Sequence, residues 1–221
     1  MKRKTFDALL STGGLVVAIL LVAAGAMLGW AHSFVNDNVR TQLSQQQVTF
    51  PSTAVIKAQN NPEITKYVTP YAGQQLVNGK QAQVFADHYI KVHLDSAAKE
   101  AGFAGKTYAT IGPIQTDLRA KVAAAQASND PSLATLQAQL DSVNGLRDTQ
   151  FKGETLRGLL LNGYAFWKMG EIAGIAAIVS FIGAGVMLLL SALGFLHLRR
   201  VAPDALVLPH LGARVPAPVE L

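Results

Sequence analysis

Two uncharged apolar runs constrain this chain more than any other feature: residues 8–31 and 172–196 contain no Asp, Glu, Lys or Arg. A bilayer core about 30 Å thick needs roughly 20 apolar residues in a helix, so each run can span with some tilt. Lipid offers peptide groups no water, so a spanning segment must close its own hydrogen bonds, which makes both runs helices. Buried core helices are the competing reading, but uncharged runs this long are rare in soluble domains, and only 15% of the whole chain is charged. The expected fold is an all-α membrane protein: two transmembrane helices flanking a small helical extracytoplasmic domain.

The expected boundaries are a cytoplasmic N-terminal tail (1–8), a first span (9–32), an extracytoplasmic domain (33–171), a second span (172–197) and a proline-rich cytoplasmic tail (198–221) expected to be disordered. A cleaved signal peptide competes for the first run, because Lys2, Arg3 and Lys4 form a basic leader and Ala24-Gly25-Ala26 offers small residues. The run exceeds a typical leader core and ends in Trp30, which favours an uncleaved anchor. Orientation follows from the basic flanks. Lys2, Arg3 and Lys4 precede the first span and Arg199 and Arg200 follow the second, so both termini are expected in the cytoplasm of a bacterial cell, at its plasma membrane. Trp30, Phe34, Tyr164, Phe166 and Trp167 then fall at the outer membrane interface, where amphipathic rings are favoured. The net charge of +5 lies largely in the tails and gives no sign of nucleic-acid binding.

Between the spans the pattern is helical. The apolar stripe Ala82, Phe85, Ala86, Tyr89, Ile90, Leu94, Ala97 and Ala98 predicts a helix over 80–101, stopped by Gly102 and Gly105. Pro113 suits a helix N-terminus, predicting a helix over 114–128. Asp130 and Pro131 read as the cap and first turn of the next helix. Asn144-Gly145 is expected to interrupt that helix. Beyond Leu146 a helix can run unbroken into the second span.

The candidate chemistry is sparse. The chain has no cysteine, which removes disulfides, thiolate metal sites and cysteine nucleophiles. His88 and His93 are the only histidines well inside the extracytoplasmic domain, and with Asp87 and Asp95 beside them they are the candidates for metal ligation. Their spacing of five turns the second imidazole about 140° away on an ideal helix, so no metal site is expected. The spacing places His93 at the edge of the apolar stripe and His88 toward solvent. No phosphate-binding or dinucleotide-binding glycine motif and no nucleophile elbow is present. No cofactor is expected. Gly25-x-x-x-Gly29, Gly170-x-x-x-Gly174 and Ser180-x-x-x-Ala184 are small-residue spacings that let membrane helices approach closely. Arg147, Lys152, Glu154, Arg157 and Lys168 form a charged collar, read either as a solvated helix surface or as contacts for lipid phosphates or a partner.

The stretches FVNDNVR (34–40), YAGQQ (71–75), KTYA (106–109) and FKGETLRGLLLNGYAFW (151–167) resemble an uncharacterised family of actinobacterial two-pass membrane proteins. The resemblance covers roughly residues 1–197 and implies a source and a topology. Some members carry an aromatic-ring-opening dioxygenase label. A non-haem iron oxygenase needs two histidines and a carboxylate with open coordination positions, and this chain offers no such set. The expected role is therefore non-catalytic: an accessory or scaffold in an envelope membrane assembly. Its expected partners are the lipid bilayer and another membrane protein or a second copy. The alternative is a ligand- or lipid-binding sensor domain with a pocket near Tyr67, Tyr71, Phe85 and Tyr89, working through a partner.

Overall fold

The computed structural model describes residues 2–202 together with Ala205 and Val207, and side-chain caps and turn residues partition these described residues into seven α-helices. They are α1 (Arg3–Gln45), α2 (Thr53–Ala58), α3 (Pro62–Val68), α4 (Gly79–Phe85), α5 (Lys91–Glu100), α6 (Tyr108–Ser128) and α7 (Leu133–Arg200). A 3-10 turn, Thr69–Tyr71, follows α3, and a π-helical turn, Ala86–Ile90, joins α4 to α5. No β-strand forms among the described residues. Thr49 and Gln75 make one antiparallel bridge, flanked by Phe50 N donating to the Gln74 carbonyl at 2.9 Å and Leu76 N to that of Val48 at 2.8 Å. Helix α7 continues to Arg200, so the start of the 198–221 segment is helical; the rest, apart from 201–202, Ala205 and Val207, lies outside the described residues.

The chain divides into two compact units. One comprises the chain up to His32 and again from Ile172; the other is Ser33–Glu171.

In the first unit, α1 and α7 pack antiparallel along a seam of small residues. Ser11, Ala18 and Gly25 lie seven apart and are buried; so do Ala177, Ala184 and Ser191. A seven-residue period keeps one face of a helix on its neighbour. The register is visible in the glycines: Gly194 abuts Ser11, Gly14 abuts Ser191, Gly183 abuts Leu21, Gly25 abuts Phe181 and Gly174 abuts His32. Where side chains are this small the two backbones come close. The outward faces stay uncovered, with Leu20 63% and Ile182 63% exposed. Each helix holds an 18-residue window of mean hydropathy 2.3 or 2.4, long and apolar enough to cross a membrane.

In the second unit, α2, α3 and α4 start on capping side chains. Ser52 accepts from Val55 N, Asn61 from Glu63 N and Ile64 N, and Asn78 from Gln81 N. They bury Phe50, Ile56, Ile64, Val68, Leu76, Ala82, Val84 and Ala86 with Leu43 of α1 and Leu160 of α7. A second core joins α5, α6 and α7 through Ala98, Ile111, Leu118, Val122, Leu140, Val143 and Leu146. Gly102 and Gly105 leave α5 at positive φ, the backbone region glycine enters without steric cost.

Two expectations are overturned here. Helix α6 begins at Tyr108 and carries Pro113 inside it, because Thr107 and Thr110 form the N-terminal box, with Thr107 N donating to Thr110 Oγ1 at 2.8 Å. As the sixth residue of the helix, the proline forgoes one intrahelical bond. Asn144-Gly145 does not interrupt α7: Val143 and Leu146 are buried in the second core, and their burial outweighs the roughly 1 kcal/mol that a helical glycine costs.

Candidate functional site

In the Ser33–Glu171 unit polar side chains gather at the π-turn, around Arg147 and in a groove beside α1.

The π-turn Ala86–Ile90 carries Asp87 and His88. π-helical turns widen a helix by one residue, and the expected histidine placement holds only in part: His93 borders the apolar stripe, its ring 4.4 Å from that of Tyr89, whereas His88 is turned off solvent. His88 is half-buried: its ring stacks on Tyr67 at 3.8 Å between centroids, and its Nδ1 lies 2.7 Å from Glu63 Oε1. His93 is exposed, and its Nδ1 lies 2.7 Å from the Tyr89 carbonyl oxygen. The two imidazoles are thus engaged with different partners, and no group of three metal-ligating side chains gathers among the described residues. Behind the turn, Arg157 of α7 donates Nε to the Ala86 carbonyl at 3.1 Å, Nη2 to Asp87 at 3.2 Å and Nη1 to Glu154 at 2.9 Å.

The rest of the charged collar divides in two. Arg147 lies over the Tyr108 ring at 4.6 Å and donates to Gln115, which in turn donates to Asn144 at 2.6 Å. Arg147 and Arg157 are therefore turned onto the protein. Lys152 pairs with Asp148 on the surface at 2.6 Å, and Lys168 is exposed.

The four rings expected to line a pocket serve as packing instead. Phe50 stacks on Tyr71 at 5.4 Å and meets Phe85 edge-on at 5.2 Å, Phe85 meets Tyr89 at 4.9 Å, and Tyr67 packs on the same core. The groove lies elsewhere. Phe34, Val35, Asn38, Val39, Gln42, Leu43 and Gln46 form one face of α1; Leu159, Asn162, Gly163 and Phe166 face them from α7, around about 450 Å³. That volume falls in the range of about 300–1,000 Å³ typical of small-molecule sites. The lining contains no ionisable side chain. Its polar groups are four amides, of which Gln42 donates to Asn38 at 2.9 Å. Such a surface offers donors and acceptors without charge. Sequence reasoning missed it, although Asn38, Gln42 and Gln46 recur every four residues, the spacing of one helix face.

Among residues expected at an interface, Trp30, Phe34 and Phe166 are 69%, 56% and 52% exposed. Tyr164 and Trp167 are half-buried, their rings 6.1 Å apart, and Trp167 rests on the bare backbone of Gly79. Of the small-residue positions, Gly25, Gly174 and Ala184 lie in the seam, Gly170 is buried, Ser180 is half-buried, and Gly29 has no side chain within 4 Å of where its own would start.

Compared with protein-family models, with curated proteins and with solved structures, the chain matches none.

Proposed function

We propose that this chain is a two-pass protein of the bacterial plasma membrane, with both termini in the cytoplasm and Ser33–Glu171 outside. It acts as a non-catalytic accessory module in an envelope membrane assembly. The observation that carries the membrane reading is the pairing of apolarity with exposure. The two most apolar windows are only 11% buried, whereas apolar helices of a soluble core turn their hydrophobic residues inward. The bacterial source rests on the likeness of 151–167 to actinobacterial membrane proteins. The non-catalytic reading rests on how the polar side chains are spent: Asp87 and Glu154 are bound to Arg157, His88 to Glu63 and Arg147 to Gln115, all inside their own unit.

The absence of cysteine makes the topology simple to test. Single cysteines replace Lys4 and Lys121, whose side chain is 56% exposed, and intact cells are treated with a membrane-impermeant maleimide. Labelling at 121 and protection at 4 is the expected result; the reverse pattern, or labelling at both, sinks the proposed orientation. Crosslinking in native membranes and purification in mild detergent then test the accessory role. A lone monomer with nothing crosslinked would defeat it.

The groove favours a second reading, in which the external unit binds a ligand for its partner to sense.

A further inference from the structure

We propose that the groove lined by Phe34, Val39, Asn38, Gln42, Asn162 and Phe166 seats one chain of an uncharged lipid whose headgroup carries hydroxyls, the chemistry of a diacylglycerol. This rests on the membrane reading above, which puts Phe34 and Phe166 at the level of the lipid headgroups.

Three features of the groove select this occupant. The first is length. From Phe34 to Gln46 the α1 face runs about 18 Å at 1.5 Å per residue, which matches the roughly 15 Å of hydrocarbon in one bilayer leaflet. The second is wall chemistry. Phe34, Leu159 and Phe166 are 56%, 65% and 52% exposed on this one face, a cluster of large apolar groups of the kind that marks a binding surface. The third is charge. Anionic headgroups call for Arg or Lys, yet the lining has neither, and the collar's two arginines are bound elsewhere. Amides at Asn38, Gln42, Gln46 and Asn162 instead match hydroxyl and ester oxygens, donating to both and accepting from the former.

Gly163 supplies a clean probe. It lines the groove, and nothing lies within 4 Å of where its side chain would begin, so a leucine there grows into open space. Full-length protein in mild detergent is offered dioleoylglycerol or dioleoylphosphatidylglycerol at equal mole fraction and read by native mass spectrometry. The expected result is a one-to-one dioleoylglycerol adduct, preferred over the anionic lipid and lost in Gly163→Leu while circular dichroism is unchanged. In the Gln42→Leu/Asn162→Leu double variant the adduct persists but the preference disappears. No adduct, equal retention of both lipids, or an adduct that survives Gly163→Leu would overturn the proposal. So would a dimer mass that Gly163→Leu abolishes, which would make a second copy the occupant. The cysteine-labelling pattern is independent of this readout: an unexpected labelling pattern with a persistent adduct removes the proposed orientation alone, and the converse removes the lipid site alone.

Discussion

The guanidinium of Arg157 reaches Asp87 at 3.2 Å across 70 residues of sequence, and the same group holds the Ala86 carbonyl that opens the π-turn. The Arg157 side chain is 17% exposed and that of Asp87 31%, so water only partly screens the pair. Arg157→Met is expected to destabilise the Ser33–Glu171 unit by about 2 kcal/mol, the scale of hydrogen bonds to charged groups. Thermal unfolding followed at 222 nm measures it. Asp87→Asn, which keeps a hydrogen-bond acceptor, is expected to cost less. Equal losses would mean that the charge pairing, and not the carbonyl contact, carries the effect.

Gly153 faces Leu94 and Gly79 faces Trp167 so closely that a single added methyl overlaps the neighbour. Gly153→Ala and Gly79→Ala are expected to destabilise by about 1–3 kcal/mol through overpacking. Gly145 and Gly158 sit in α7, as Gly153 does, with open space around them. Alanine there is expected to stabilise by about 0.5–1 kcal/mol, since glycine loses more backbone entropy in a helix. Opposite signs for the two pairs, read as melting temperatures, check the packing of α7 residue by residue.

The sequence carried the helices because helical spacing leaves a mark on which residues are apolar. Ala82, Ala86, Leu94 and Ala98 announce a buried face, and all four are buried. It carried less of what depends on context. Gly145 reads as a break because a glycine's cost is local, whereas the burial of Val143 and Leu146 that outweighs it is tertiary. Thr107 does not stand out as a cap in the sequence, since its value as one depends on Thr110 turning back to it. The groove was hidden for a related reason: Asn38 and Asn162 become one lining only when two helix faces 124 residues apart in sequence are brought together.

Asp130 tests the hairpin between α6 and α7. Its Oδ1 accepts from Ser132 N at 2.7 Å, and that backbone bond, followed by the Ser132 hydroxyl, holds its carboxyl below the usual aspartate range. A carboxylate with a lowered folded pKa contributes stability that is fully present above the unfolded value and is lost as pH falls through the folded one. The melting temperature of the wild type is therefore expected to drop on acidification through and below the usual aspartate range. Asp130→Asn lacks that component of the pH dependence. Parallel acid profiles for the two proteins would mean that the turn draws nothing from this carboxylate.

The seam of the apolar unit makes a sharper prediction, because a disulfide forms only where its geometry already exists. Disulfide-linked residues hold their Cβ atoms about 3.8 Å apart. The Ser191 Cβ lies 3.9 Å from where a side chain at Gly14 would begin. Gly14→Cys/Ser191→Cys is expected to oxidise within one chain, giving in a non-reducing digest a peptide that joins α1 to α7. Gly13 is the control, since nothing lies within 4 Å of its side-chain position. One residue along α1 turns a side chain by about 100°, so Gly13→Cys/Ser191→Cys should stay reduced. Oxidation of both pairs to the same extent would mean that the two helices slide or rotate past one another. Oxidation of the first pair only between chains would assign the small residues to a contact with a second copy.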